Sequence, residues 1–251
     1  MRTPVNPPLV EPMSVPGLVR LEHRASVTST MDVAHELAQQ GAPAGTVVLA
    51  DMQQSGRGRA GRSWRSASGT GLWLTLIERP SDLQALEVLS LRAGLELARV
   101  LAPLVDGEIA LKWPNDLYLG GRKLSGILIE VRWREGRPEW VAIGVGINLH
   151  SGAGELTPGG LVPGTARAGI TRDDLLRAVV PALRSAAAAR GQLEGRELEE
   201  WSSRDWALGR PVLAPGAGIV TGLGKNGGLL IRDASGVVAS YQSGSLVFTE
   251  D

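Results

Sequence analysis

Residues 56–61 read GRGRAG, a G-x-G-x-x-G pattern on which the expected fold depends. The segment TVVLAD at 46–51 precedes it as a candidate buried strand, and Glu78 follows at about the spacing of a ribose-binding acid. A dinucleotide site also needs a helix that begins inside the glycine run, so that its N-terminal N–H groups face the pyrophosphate. The next residues, RSWRSASGTG at 62–71, are rich in Ser and Gly and too short for a crossover helix before the strand-like LWLTLIE at 72–78. The pattern therefore predicts something other than a dinucleotide-binding fold.

The composition carries no overall charge bias. The chain has 251 residues, with 26 Lys and Arg against 26 Asp and Glu, so any basic site has to be local. The absence of cysteine excludes disulfides, thiolate metal sites and a cysteine nucleophile, and it suits a cytoplasmic protein. No segment is apolar for long enough to span a bilayer, and the N-terminus lacks the apolar run of a signal peptide.

The first part of the chain is predicted to alternate strands and helices. Strands are expected at 46–51 and 72–78, on either side of the arginine-rich and glycine-rich residues. A helix capped near Ser29 precedes them, and a longer helix is expected from Ser81 to about Leu101, with Ser81 in a capping box.

A dense β region follows at 108–113, 116–131 and 139–149, where a Gly-Gly turn marks a hairpin. Strands outnumber crossovers in this pattern. We therefore expect an α+β fold in which a mixed β-sheet is backed by helices.

The pattern of predicted secondary structure changes near residue 207. Two helices are expected before this point, at 171–190 and 197–206, and Pro181 is expected to kink or divide the first. After it, short strands alternate with glycine-rich turns, which is typical of a small antiparallel barrel. The expected parts are a proline-rich leader at 1–17, a main domain at 18–206 and a small barrel domain at 207–251.

The Arg-Gly segment, Ser55–Ser66, concentrates positive charge. Its four arginines are Arg57, Arg59, Arg62 and Arg65. Glycine lets the backbone approach a ligand closely, and each guanidinium offers a planar fork of donors that matches carboxylate or phosphate oxygens. This combination favours an anion-binding flap. Two other interpretations stay open on composition alone, namely a solvated basic loop and a nucleic-acid patch in which Trp64 stacks on a base.

A second polar cluster lies in KWPNDLYLGGRKLSG at 112–126. Lys112 and Lys123 fall on strands of one hairpin region, so they are expected on one side of the sheet. Taken alone, the Pro-Asn-Asp corner is ordinary turn chemistry and Lys123 is an ordinary edge-strand lysine. Asn148 ends the apolar run GVGIN, a position at which asparagine is often only a cap.

Taken together, three segments resemble the biotin protein ligases. They are QQSGRGRAGRSW at 53–64, KWPNDLYLGGRKLSGILIE at 112–130 and GVGIN at 144–148. The resemblance is close to letter-for-letter, and it implies a main domain similar to class II aminoacyl-tRNA synthetases and biotinyl ligases, with an SH3-like barrel after it. Two positions depart from the family pattern. Met31 replaces the asparagine of a Ser-Thr-Asn element, and Ala60 stands where many members carry an arginine.

The resemblance implies a ligase that activates biotin with ATP as biotinyl-5′-adenylate. Lys123, Arg57 and Arg59 would be catalytic, since positive charge has to separate a carboxylate from the α-phosphate. The implied biotin-binding residues are Ser29, Thr30, Met31, Gln53, Arg57, Gly58, Arg59 and Lys123. The implied ATP-binding residues are Arg62, Trp64, Lys112, Asn115 and Asn148. No protein metal ligand is implied, because Mg²⁺ would be held mainly by the phosphates.

The resemblance also implies a lid and a protein partner. A mixed anhydride such as the adenylate is destroyed by water, so the Arg-Gly segment is expected to be disordered without ligand and to fold over it when bound. The acceptor would be a lysine of a biotin carboxyl carrier protein. Either a monomer or a homodimer is compatible with the family. No DNA binding is expected, because a proline-rich leader stands where the regulatory members carry a winged helix.

Two alternative functions stay open. A lipoate protein ligase would use the same adenylation chemistry, although the Arg-Gly segment and KWPND favour biotin. From a different class, a nucleic-acid-binding module would use the Arg-Gly segment together with the C-terminal barrel, and its oligonucleotide binding would depend steeply on salt.

Overall fold

The computed structural model describes residues 15–80, 82–150 and 164–249. Most of the predicted leader lies outside these ranges, as does Ser81. In chain order, the first elements are β1 (Arg20–Val27), α1 (Thr30–Gln39), β2 (Thr46–Arg57), β3 (Ser63–Ser66), β4 (Gly71–Glu78), α2 (Leu83–Leu101), β5 (Ile109–Lys112), β6 (Asp116–Leu119), β7 (Arg122–Arg134) and β8 (Arg137–Asn148). The later elements are α3 (Arg172–Ala188), α4 (Gly195–Arg204), β9 (Pro211–Ala214), β10 (Gly218–Leu223), β11 (Leu229–Arg232), β12 (Val238–Tyr241) and β13 (Val247–Phe248).

The larger sheet of the described residues is mixed, as the sequence predicts. Its order is β1-β2-β4-β8-β7-β6-β5, with β3 paired to β2. Only the β1–β2 pair is parallel in this part of the chain, and α1 makes the crossover between these two strands. Their register sets Val27 beside Gln53, so the N-terminus of α1 begins next to Gln53. The Ser29 hydroxyl caps this helix by accepting the N–H of Met31 at 3.3 Å.

Helices cover both faces of the sheet, which is why β4 is buried along its whole length. Leu72, Leu74 and Leu76 join the core under α2 and α3. On the opposite face, Ile77 packs with Val48 and the alanines of α1 in a smaller cluster. Because successive side chains of a strand point to opposite faces, both sets have to be apolar when both faces are covered.

The Arg-Gly segment does not begin a helix, so the dinucleotide interpretation fails structurally. Gly56 and Arg57 still belong to β2 and pair with Trp64 and Ser63 of β3. A short 3₁₀ turn at Arg59–Gly61 connects the two strands. The segment was expected to be a loop, but the structure forms a strand pair because β2 continues past the edge of the main sheet. Glu78, the candidate ribose-binding acid, is buried in an ion pair with Arg184 at 2.8 Å.

Two details of the helices differ from the sequence expectation. Helix α2 is capped by Asp82, whose carboxylate accepts the N–H groups of Gln84 and Ala85, so the predicted capping box at Ser81 is not the cap. Helix α3 runs through Pro181 without division. The buried Val180 and Leu183 flank this proline. Their burial offsets the one hydrogen bond that proline cannot make.

The C-terminal residues form a five-stranded antiparallel sheet, ordered β12-β11-β10-β9-β13. This agrees with the small β domain that the sequence predicts, while the boundary near 207 stays a prediction. The sheet is joined to the rest of the protein by backbone acceptors. The Trp113 indole N–H donates to Gly227 O at 3.0 Å, and the Leu193 N–H donates to Lys225 O at 2.8 Å.

Asp205 lies at the junction between α4 and this sheet. Its Oδ1 accepts the Ala207 N–H at 2.8 Å, whereas its Oδ2 is buried and has no hydrogen-bond partner among the described residues. Burial raises the pKa of Asp205 from its usual 3.8 to about 6, against the smaller opposing effect of the backbone N–H groups. The carboxylate form is therefore costly in the folded protein.

Asp205 is expected to make the protein less stable as the pH rises from about 4 to about 6. In that window the unfolded chain has lost the Asp205 proton and the folded chain has kept it, so unfolding is favoured. Asp205→Asn should therefore flatten the pH dependence of the unfolding free energy, measured by urea titration at several pH values. The control is Glu108→Gln, which changes an exposed acid and should keep the wild-type slope. Equal slopes in wild type and Asp205→Asn would contradict the assignment.

Candidate active site

A neutral polar network joins α1 to β2. The Thr30 N–H and hydroxyl both donate to Gln53 Oε1, at 2.9 and 3.1 Å. The Thr75 hydroxyl donates to Thr30 Oγ1 at 2.9 Å, and Gln53 Nε2 donates to Ser66 Oγ at 2.7 Å. Thr30 thus spends its one hydroxyl proton on Gln53. Ser29 keeps its hydroxyl proton and Gln53 keeps a second amide proton, and these donors suit an uncharged polar ligand group.

Met31 reaches the floor of the sheet beside this network. Its side chain is buried, and its Cε lies only 2.7 Å from where a β-carbon on Gly144 would stand. Gly144 therefore makes the space that Met31 fills. An asparagine here would bring an amide into a largely apolar contact, so the departure from the Ser-Thr-Asn element replaces a polar contact with packing.

Trp64 covers two further glycines of the sheet. A β-carbon on Gly126 would lie 2.8 Å from the indole, and one on Gly146 would lie 2.5 Å from it. The indole also meets Trp73 edge-on, with ring centroids 6.3 Å apart. Its Nε1 is buried and has no hydrogen-bond partner among the described residues. Trp64 thereby packs the Arg-Gly segment onto β7 and β8.

Lys123 lies against the same indole. Its Nζ is 4.9 Å from the Trp64 ring centroid and 2.7 Å from Asp116 Oδ1. The register pairs Tyr118 with Lys123 and Lys112 with Asp116, which sets these four residues on one face of the sheet. Lys112 contacts Tyr118, with its Nζ 5.1 Å from the ring centroid. The two lysines thus share a face and have different neighbours.

Arg57 and Arg59 leave the strand pair in different directions. Arg57 Nη2 lies 2.8 Å from Asp32 Oδ1 and 3.5 Å from Glu130 Oε2. Arg59 donates from Nη1 to Asn115 Oδ1 at 3.5 Å. Burial lowers the pKa of Arg59, as does the neighbouring Arg62. The cations of the Arg-Gly segment are therefore spread across the face that Lys123 shares.

The two asparagines of the predicted site are held by backbone contacts. Asn115 Nδ2 donates to Ile127 O at 2.7 Å, and Asn148 Nδ2 donates to Lys123 O at 2.9 Å. Asn148 is therefore more than a strand cap, because it ties the end of β8 to the backbone of Lys123.

Arg62 turns towards the C-terminal sheet. Its Nη2 donates to Ser245 Oγ at 3.1 Å. Lys112 also faces this sheet, with its Nζ 5.5 Å from the Phe248 ring centroid. Gly58, the remaining predicted residue, contributes only its backbone. Its N–H donates to Arg62 O at 2.7 Å. Two of the predicted ATP-binding residues, Arg62 and Lys112, thus contact the C-terminal sheet, which is distant in sequence.

Comparison with known proteins identifies the family. Residues 24–148 match the Biotin/lipoate A/B protein ligase family. The Biotin--[acetyl-CoA-carboxylase] ligase of Paracoccus denitrificans is 32% identical over 206 residues, which cover 75% of this chain and 85% of that protein. The chain belongs to the biotin/lipoate ligase family. The solved structure of biotin protein ligase from Aquifex aeolicus in complex with biotin and ATP is 26% identical, with a TM-score of 0.71 over 91% of this chain and 98% of that chain.

Some relatives of this ligase-family chain are considerably longer. The bifunctional ligase/repressor BirA of Bacillus spizizenii is 42% identical over 125 residues, which are 49% of this chain and 38% of that protein. The chain thus spans less than two thirds of the length of such relatives.

The sequence did not predict the carboxylates that pair with Arg57 and Lys123 in this ligase-family chain. Asp116 was noted only as a turn residue, and Asp32 and Glu130 were given no role. Asp32 is the third residue of α1, where a carboxylate commonly interacts with the helix dipole, so no sequence pattern predicts its contact with Arg57. Across residues 15–80, 82–150 and 164–249, no three His, Cys, Asp or Glu side chains gather into a cluster that could hold a metal ion. No helix in the same ranges is long and apolar enough to cross a membrane.

The glycines under Trp64 and Met31 are expected to differ in tolerance. Gly146→Ala sets a methyl group against a rigid indole at 2.5 Å, and this overpacking should cost about 1–3 kcal/mol of unfolding free energy. Gly144→Ala meets the flexible end of Met31 at 2.7 Å and should cost less than about 1 kcal/mol. Urea unfolding of both variants without ligand measures the difference. A larger cost for Gly144→Ala would contradict the packing described here.

Proposed function

We propose that the chain is an ATP-dependent biotin protein ligase, which forms biotinyl-5′-adenylate and transfers the biotinyl group to one lysine of a biotin carboxyl carrier domain. The observation that carries this proposal is the meeting of Lys123 with the Arg-Gly segment through Trp64, 4.9 Å from the Lys123 amine. The backbone of Trp64 pairs with that of Gly56, which precedes Arg57. Positive charge from two distant segments therefore borders the neutral Thr30–Gln53 network.

The first step joins two anions, so it needs fixed positive charge. A biotin carboxylate oxygen attacks the α-phosphorus of ATP, the bond from phosphorus to the bridging oxygen breaks, and pyrophosphate leaves. Lys123, Arg57 and Arg59 are assigned to neutralise the carboxylate and the phosphate as they approach. The placement of Lys123 and Arg57 on strands is pre-organised, which lowers the cost of alignment.

The second step is acyl transfer to the carrier. The lysine amine attacks the carbonyl carbon of the adenylate, AMP leaves with the bonding electrons, and the new amide nitrogen loses a proton to solvent. Until the carrier arrives, the Arg-Gly segment covers the anhydride and excludes water. The connecting turn at Arg59–Gly61 and the glycines beside it are the part of the segment that moves most easily.

The ureido group of biotin is assigned to α1 and β2. Ser29 O–H and the second N–H of Gln53 are the available donors, while Thr30 orients Gln53 and Met31 packs against the bicyclic ring. Gly58 gives the backbone close access to the acid. This division of a neutral polar end from a cationic end matches a ligand with an uncharged head and a carboxylate tail.

The nucleotide is assigned to the opposite end of the same face. Trp64 would contact adenine. Arg62 and Lys112 would meet the triphosphate, and Asn115 and Asn148 would complete this side. Mg²⁺ would be carried mainly by phosphate oxygens and water, as is usual for this ion.

Several further properties stay predictions of the same proposal. The carrier is expected to belong to a carboxylase, and the enzyme is expected to act in the cytoplasm as a monomer or a homodimer.

The direct test is incubation of the protein with biotin, ATP, magnesium and a purified carrier domain. The expected result is pyrophosphate release and a carrier whose mass increases by one biotinyl group. Parallel reactions contain lipoate in place of biotin. Attachment of lipoate but not biotin would overturn the choice of acid.

Lys123→Gln is expected to lower the rate of adenylate formation by about 10²–10³-fold, because it removes the ammonium from between the reacting anions. The matched control is Lys225→Ala, which removes an exposed lysine between β10 and β11 and should keep the wild-type rate. Circular dichroism and urea unfolding show whether each variant is folded. A folded Lys123→Gln variant with wild-type pyrophosphate release would refute the role of this lysine.

Arg59→Gly is expected to let the adenylate escape. The guanidinium contacts Asn115 and lies over the nucleotide side, so its loss weakens the closed segment. The measurement is the half-life of enzyme-bound biotinyl-5′-adenylate, together with biotinylation of a bystander protein such as serum albumin. Retention of the intermediate as in wild type would count against the lid.

A further inference from the structure

Arg57 forms ion pairs with two carboxylates through one of its nitrogens. Asp32 and Glu130 both contact Nη2, at 2.8 and 3.5 Å. The three side chains are only partly exposed, between 35% and 42%. A guanidinium has donors on three nitrogens, and a contact at Nη2 leaves the N–H groups of Nη1 and Nε as single donors to another acceptor.

Glu130 is itself oriented by a histidine. His35 Nε2 lies 2.9 Å from Glu130 Oε2, and His35 Nδ1 lies 2.9 Å from Trp140 Nε1. An indole nitrogen is only a donor, so Nδ1 has to be the acceptor in this contact. The neutral imidazole then carries its proton on Nε2 and donates it to Glu130. The geometry thus selects one tautomer.

This chain of contacts connects rigid elements. Trp140 lies on β8 and is buried, Glu130 lies on β7, and His35 and Asp32 lie on α1 one turn apart. Arg57 is the last residue of β2 and precedes the turn of the Arg-Gly segment. A long side chain at the end of a strand loses much conformational freedom when it binds a ligand. Ion pairs that already order the Arg57 side chain before binding reduce this loss.

We propose that Glu130 is a positioning residue for Arg57, held in place by the Trp140–His35 pair. The inference rests on the proposed function, in which Arg57 receives the carboxylate of biotin. Glu130 touches no reacting atom. It fixes the guanidinium so that Nη1 can donate to the acid. His35, which holds Glu130, lies on the helix that also carries Thr30 and Met31 near its start.

The test compares a charged and an uncharged ligand. Binding of biotin and of biotinamide, which lacks the carboxylate, is measured by calorimetry for wild type, Glu130→Ala and Glu130→Gln. Both variants should bind biotin about fivefold more weakly, the size expected for a partly exposed ion pair, and should bind biotinamide as wild type does. The matched control, Glu139→Ala, removes an ion pair with Arg134 on the same hairpin and should leave both affinities unchanged.

Three outcomes overturn the inference. Equal weakening for both ligands would make Glu130 merely structural, and unchanged biotin affinity in folded Glu130 variants would remove the role. Wild-type protein that binds neither ligand would refute the proposed function itself, which separates the two failures.

The histidine link has a separate spectroscopic test. In ¹H–¹⁵N correlation spectra of the wild-type protein, His35 should show the pattern of the neutral Nε2–H tautomer. His35→Gln, which keeps a donor and an acceptor, should retain more of the biotin affinity than His35→Ala. The Nδ1–H tautomer, or equal affinities in the two variants, would contradict the link.

Discussion

The site depends on the packing of one indole against two glycines. Trp64 belongs to β3, and the absence of side chains at Gly126 and Gly146 lets it lie directly on β7 and β8. This contact brings the Arg-Gly segment, which leaves the main sheet with β2, back over the strands that carry Lys123 and Asn148. Without it, the arginines near residue 57 and the lysine at 123 would have no common surface.

Each cation near this surface has a partner of its own. Lys123 pairs with Asp116, Arg57 with Asp32 and Glu130, and Arg59 reaches Asn115. Such contacts keep long side chains in a few orientations, and partly exposed pairs cost little to break when a stronger anion arrives. At Lys123 and Arg59, a carboxylate and a phosphate could therefore replace these partners without a large rearrangement, while Asp32 and Glu130 keep Arg57 in place.

The sequence predicted the elements better than it predicted their contacts. Period-2 and helical patterns, with the cap at Ser29, were enough to predict α1, β4 and the β6–β7 hairpin, because these signals are local. The predicted N-cap of α2 was wrong, since Asp82 and not Ser81 accepts the first N–H groups of the helix. The predicted division at Pro181 was wrong, because burial of the surrounding helix faces outweighs a single lost hydrogen bond, while the alternative of a kink stays a prediction. The strand pair within the Arg-Gly segment was missed because its glycines, arginines and serines show no apolar alternation.

The sequence by itself determined the fold class, the order of strands and helices along the chain, and the types of charged and polar residues available for chemistry. It did so through local propensity and through the close likeness of three motifs to one ligase family. Only the tertiary structure decided which acids face which cations, the tautomer of His35 and the burial of Asp205. These depend on side chains that approach each other from elements far apart in the chain, and no local pattern records such distances.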